Sequence, residues 1–136
     1  MKTLCWNYRG LGNPNTVQAL LRYVTLNDPD LFFISETWIF KNKVDNIHRR
    51  LNMEGCFDVE KGENCVGLLL LWNDSLQVDL LFFSKSHIDV EIAQRTTRFR
   101  FIGMYRTHDR PRKHKDWELL DRLKGKSHLP WLLWGP

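Results

Sequence analysis

The stretch Asp30-Leu31-Phe32-Phe33-Ile34-Ser35-Glu36-Thr37 constrains the chain more than any other. An uninterrupted apolar run of this length, fenced by Asn27-Asp28-Pro29, predicts a strand buried on both faces, as found inside a helix-covered sheet. The run ends on a carboxylate. Ligand sites in open α/β sheets gather at the carboxyl ends of strands, which makes Glu36 a candidate metal-binding or catalytic group. Taken by itself, a capping or solvated glutamate just past a strand is the plainer reading. Other apolar runs end on polar groups too: Leu4-Cys5-Trp6 runs into Asn7, Phe99 to Met104 into Tyr105 and Arg106, and Trp131 to Trp134 into Gly135. Polar groups gathered at strand ends make a site.

Around this strand the punctuation predicts alternating elements. Thr3 to Tyr8 reads as a first strand, and Arg9-Gly10-Leu11-Gly12-Asn13-Pro14 as the loop after it. Asn15 or Thr16 is positioned to cap a helix whose apolar residues Val17, Leu20, Leu21 and Val24 follow helical spacing. The Gly10-Leu11-Gly12 stretch lacks the third glycine of a dinucleotide fingerprint and is read as a turn. Val44, Ile47 and Leu51 mark one face of a second helix, and Lys41, Lys43, Arg49 and Arg50 its solvated faces. From Phe57 to Tyr105, five strand-length pieces parted by short polar turns predict an antiparallel meander: Phe57 to Val59, Val66 to Trp72, Leu76 to Phe83, His87 to Ala93 and Arg98 to Tyr105. A basic segment, Arg106 to Lys115, precedes a helix with Trp117, Leu120 and Leu123 on its buried side. Trp131 to Trp134 then reads as another buried strand. Such a strand needs to dock on a sheet interior or to be covered by a following element.

Composition limits the classes of function. A length of 136 residues suits one domain, and a net charge of +4 is compatible with a phosphate-bearing partner without requiring one. The three cysteines, Cys5, Cys56 and Cys65, show no CxxC spacing, which favours reduced, buried thiols over a disulfide framework or a zinc site. The N-terminus has no signal-peptide core and no apolar run is long enough to span a bilayer. The expectation is an intracellular protein, nuclear or cytoplasmic, with no membrane association and no obligate protein partner identifiable.

Several blocks, in order, carry a family resemblance. Met1-Lys2-Thr3-Leu4-Cys5-Trp6-Asn7-Tyr8-Arg9-Gly10-Leu11-Gly12-Asn13-Pro14 and Pro29 to Thr37 resemble the start of the endonuclease/exonuclease/phosphatase superfamily. Val66-Gly67-Leu68-Leu69-Leu70-Leu71-Trp72, His87-Ile88-Asp89-Val90, Phe101-Ile102-Gly103-Met104-Tyr105 and Leu129 to Gly135 fit the same series. The likeness is closest to the endonuclease region of plant LINE-type retrotransposon proteins. It implies an α/β fold, a partial DNase-I-like sandwich of mixed β-sheets with outer helices, and magnesium-dependent cleavage of phosphate esters, here in DNA. By position, Asn7 resembles the asparagine that supports the metal site, Glu36 the metal-binding glutamate, and Tyr105 a residue close to the scissile phosphate. Magnesium keeps several waters and binds through one or two carboxylates plus phosphate oxygens, so a single glutamate suits it as a weak or incomplete site. Arg106, Arg110, Arg112, Lys113 and Lys115 are candidate contacts to a DNA backbone, a solvated basic loop being the alternative.

The sequence departs from the family pattern at its end. The family strand that ends in tryptophan and glycine continues into an Asp-x-Asn motif whose aspartate positions the attacking water, and Pro136 stands where that aspartate would fall. The family's later Asp-His pair has no counterpart, and His48, His87, His108, His114 and His128 are not substitutes by motif. The resemblance thus implies one truncated domain over 1–136, with little activity alone. A non-catalytic nucleic-acid-binding remnant and a small-molecule phosphatase of the same superfamily are the competing readings.

Overall fold

A computed structural model of the chain describes residues 1–7, 10–63, 65–105, 118–125 and 128–135. Strand β1 (Thr3–Asn7) leads into helix α1 (Pro14–Asn27), strand β2 (Leu31–Ser35) and helix α2 (Lys41–Leu51). Strands β3 (Gly55–Val59), β4 (Leu68–Trp72), β5 (Gln77–Phe83), β6 (His87–Gln94) and β7 (Thr97–Met104) follow. Residues 118–124 are helical (α3), and β8 spans Trp131–Trp134.

The strands form two sheets, in the orders β1-β2-β4-β3 and β5-β6-β7-β8. Each sheet has one parallel pair at an edge, β1 with β2 and β7 with β8, and its other pairs are antiparallel. Alternation along β2 sorts its side chains between two cores. Phe32 and Ile34 join Leu69 and Leu71 under α1 and α2, with Val17, Leu20, Val44 and Ile47 supplied by the helices. Leu31 and Phe33 join Leu68, Leu70, Ile88, Val90 and Phe101 in the core between the sheets. Leu120 and Leu123 of α3 cover Ile102 and Met104 on the far face of the second sheet. The layers therefore run helix, sheet, sheet, helix. Close packing at the centre depends on Gly103, where a Cβ would come within 2.5 Å of Phe33 Cε2.

Every residue of β2 is buried, as an apolar run without alternation predicts. Three expectations are corrected. Helix α1 is capped by Asn13, whose Oδ1 accepts from Asn15 N at 2.9 Å, because Pro14 has no N–H to lose at the first helical position. The five middle strands do not form one meander: β3 and β4 close the first sheet, and only β5, β6 and β7 run as a meander in the second. Trp131, Leu132 and Leu133 are 39%, 45% and 41% exposed, since β8 is an edge strand rather than a buried one. The glycine-rich stretch after β1 is the expected turn, closed by Asn13 N donating to Gly10 O at 2.8 Å.

Among the described residues no helix is long and apolar enough to cross a membrane. The three cysteines are free, and burial pushes the thiols of Cys5 and Cys56 up to about 12.

Candidate active site at one end of the sandwich

The strand register decides which polar groups meet. Asn7 pairs with Ser35 across the parallel β1–β2 ladder, so Asn7 and Glu36 sit one step apart at adjacent strand ends. In the same sheet, Ser35 lies opposite Leu68, and Leu68 opposite Val59, so the 60–67 segment shares that end. This segment reaches the other sheet. Cys65 Sγ donates to Lys85 O at 3.6 Å, and Lys85 Nζ donates to Glu63 O at 3.1 Å. Lys85 belongs to the β5–β6 turn, beside which Tyr105 N donates to Ser86 O at 2.8 Å. His87 pairs with Met104 there, and Gly103 with Trp134. The carboxyl ends of β1, β2, β7 and β8 thus open on one end of the sandwich. Asn7, Glu36, Tyr105 and Gly135 each stand at that end of their strands.

Backbone geometry at the glutamate is unusual. Glu36 has φ +60° and Trp38 φ +54°, values that cost free energy in residues with a Cβ. Between them Thr37 is buried, and the chain is held by Thr37 N to Gly67 O at 3.2 Å and Trp38 N to Val66 O at 2.9 Å. Gly67, at φ +91°, is required at that contact because a Cβ would overlap Thr37 Oγ1. Glu36 is therefore half-buried in a fixed kink rather than on a free loop. Asn7 is exposed, and Tyr105 is half-buried with its side chain against the core between the sheets.

Two further polar groups lie at this end that the apolar pattern gives no reason to single out. Ser35 Oγ and His87 Nε2 are buried without a hydrogen-bond partner among the described residues. The other ring nitrogen of His87 is hydrogen-bonded to Ser84 Oγ at 2.5 Å. Burial holds the His87 imidazolium down, with the charges of Arg100 and Arg122 acting the same way and that of Asp89 against it.

No group of three or more His, Cys, Asp or Glu side chains that could cage a metal occurs among the described residues. One carboxylate beside an amide suits a hard, strongly hydrated cation that completes its shell with water and phosphate oxygens, and does not suit zinc. Arg106, Arg110, Arg112, Lys113 and Lys115 lie outside the described residues, as do Tyr8 and Arg9.

No protein-family model matches the sequence, and no curated protein is similar to it at a significant level. Solved structures are. The endonuclease/exonuclease/phosphatase family protein from Bacteroides thetaiotaomicron superposes with a TM-score of 0.68 at 14% identity, covering 99% of this chain and 62% of that one. D. rerio TDP2, solved with a single-strand DNA product, gives 0.74 at 13% identity, over 99% of this chain and 59% of its own. The endonuclease domain of TRAS1, a telomere-specific non-LTR retrotransposon, gives 0.61 at 12% identity, over 95% and 56%. The chain spans roughly three fifths of the length of each. Its two mixed sheets and outer helices have the DNase-I-like fold of the endonuclease/exonuclease/phosphatase proteins.

Proposed function

We propose that this chain carries the metal- and phosphate-binding part of a magnesium-dependent phosphodiesterase site acting on DNA, of retroelement endonuclease type. The observation that supports the reading is the pairing of Asn7 with Ser35, which sets Asn7 and Glu36 one step apart at the carboxyl ends of two adjacent strands. Tyr105 shares that end of the sandwich. Support for DNA as substrate comes from the TDP2 complex with a single-strand DNA product and from the TRAS1 endonuclease domain.

In this reading Glu36 is the protein's carboxylate ligand, and Asn7 hydrogen-bonds that carboxylate or a coordinated water and fixes its orientation. Bound magnesium would supply polarisation of the phosphate and neutralise part of its charge. The Tyr105 hydroxyl donates to a non-bridging phosphate oxygen and steadies the charge that develops there. The Glu36 kink favours this role because the backbone that carries the carboxylate need not be ordered again on binding.

The test is binding of the dinucleotide dTpdT, followed by NMR with and without millimolar magnesium. Magnesium should tighten binding and move the Asn7, Glu36 and Tyr105 amides, and Glu36→Gln should abolish the magnesium dependence while leaving the fold's other shifts in place. Unchanged amides at those three positions at millimolar metal would overturn the reading.

A further inference from the structure

Next to this end of the sandwich, a second concavity opens between the first turn of α1 and the flank of α2. Its volume is about 250 Å³. Leu11, Val17 and Ile47 form an apolar floor and are themselves buried in the core beneath the helices. Lys43, Asn46 and Arg50 stand at i, i+3 and i+7 along α2 and form one polar rim above that floor. Lys43 leans over the turn that follows β1: a Cβ on Gly12 would lie 3.5 Å from its Nζ.

The charges on this rim are unbalanced. No carboxylate pairs with Lys43 or Arg50 among the described residues. The other flank of α2 differs, because there Lys41 and Asp45 act on Asp58 of β3. The first turn of α1 holds no acidic residue, so the positive end of its dipole adds to the two cations instead of being neutralised. The groove is also tied to the candidate active site by short connections. The turn at 10–13 links it to Asn7, and α2 begins five residues after Glu36.

We propose that this groove holds one nucleotide of a DNA single strand flanking the phosphodiester at Glu36, with its phosphate between Lys43 and Arg50 and its base on the Leu11, Val17 and Ile47 floor. The proposal rests on the phosphodiesterase reading for the place of that strand, while the groove's own charge and shape favour an anionic unit with a flat apolar part. A space of about 250 Å³ is below the roughly 300–1,000 Å³ of drug-sized sites, a size that suits a single nucleotide unit. Asn46 stands between the two cations, where its amide can bond a base edge or a phosphate oxygen. Such contacts neutralise phosphate and release counterions, so the site is sensitive to salt and indifferent to sequence.

The experiment uses 5′-fluorescein-labelled oligodeoxythymidine of six nucleotides and the whole chain in EDTA, so that the metal site takes no part. Anisotropy should report binding that weakens with salt. Lys43→Glu and Arg50→Glu should each weaken it severalfold and lower the slope of log K against log salt by about 0.7, the value for one phosphate contact to a single strand. Arg22→Glu and Lys124→Glu, on other exposed surfaces, should leave it unchanged. The Gly12, Asn46 and Arg50 amides should shift on titration. Binding untouched by both α2 variants, or equal competition by a hexaglutamate peptide, would overturn the proposal. Loss of magnesium dependence in Glu36→Gln with oligonucleotide binding intact in EDTA would leave the groove standing on its own. Failure of the magnesium reading is thereby separated from failure of this one.

Discussion

Arg100 grips Asp89 with two parallel hydrogen bonds, Nε to Oδ1 at 2.7 Å and Nη2 to Oδ2, across neighbouring strands β7 and β6. The side chains are 2% and 0% exposed. The remaining guanidinium nitrogen, Nη1, donates to Leu123 O at 2.7 Å near the end of α3, and the Trp131 ring lies 5.9 Å from the guanidinium carbon. One side chain thus ties two strands, a helix end and the edge strand β8. Removing one partner of a buried pair strands the other charge. Arg100→Met is expected to cost about 3–5 kcal/mol in urea unfolding, whereas Arg100→Met combined with Asp89→Leu should recover much of the loss. Equal destabilisation by the single and double variants would mean that the ion pair is not what the helix end depends on.

That cross-strand pair was not legible in the sequence, and the reason is general to this chain. Periodicity identifies β2 and α1 because burial repeats along one element, and it locates Glu36 because the run ends there. It does not say which strand lies beside which. Arg100 and Asp89 are eleven positions apart, and only the antiparallel register of β6 and β7 brings them together. The same gap explains why five similar strand patterns read as one meander although the chain passes from one sheet to the other after β4. The run Trp131 to Trp134 has the composition of a core strand, yet its exposure is set by its place at a sheet edge. At the candidate site the order is reversed. Asn7, Glu36 and Tyr105 were legible as strand endings, while Ser35 and His87 were hidden within apolar pattern.

His87 gives stability a pH dependence of known sign. Desolvation, then the positive charges of Arg100 and Arg122, hold its folded pKa below the ordinary histidine value, and Asp89 opposes them. The unfolded chain, with an ordinary histidine near about 6.5, therefore binds the proton more readily than the native state. This contribution is fully present above the unfolded value and is lost as the pH falls through the folded one. Urea midpoints measured from pH 7.5 down to pH 5 should decline in the native sequence and decline less steeply in His87→Gln. Parallel profiles for the two proteins would show that His87 does not carry the effect.

The basic segment makes a separate prediction about duplex DNA. If Arg106, Arg110, Arg112, Lys113 and Lys115 meet phosphates, the salt slope of duplex binding should fall by about 0.9 for each contact removed. Replacing all five with Ser should flatten the slope by several units and affect unrelated sequences alike. A slope that stays put would assign these residues to a solvated loop.

Cleavage is a stronger demand than binding, and the groups proposed for the site would meet only part of it. Phosphodiester hydrolysis needs polarisation of the phosphate, a group that aligns and deprotonates water, and donors for the developing charge. In the proposed site Glu36 and Asn7 would serve the first need and Tyr105 part of the third. Two of the described histidines are poorly placed to be the base. His87 is buried with Nδ1 engaged by Ser84, and His48 Nε2 is 2.8 Å from Met53 O on the far side of α2 from its N-terminus. General-base catalysis is worth about 10² to 10⁴ in rate, so the 136-residue chain should nick supercoiled plasmid at close to background with magnesium or manganese. The comparison is with Glu36→Gln, which should be indistinguishable from it. Nicking by the native chain that disappears in Glu36→Gln would refute this expectation and direct attention to His108 and His114 of the basic segment as the base.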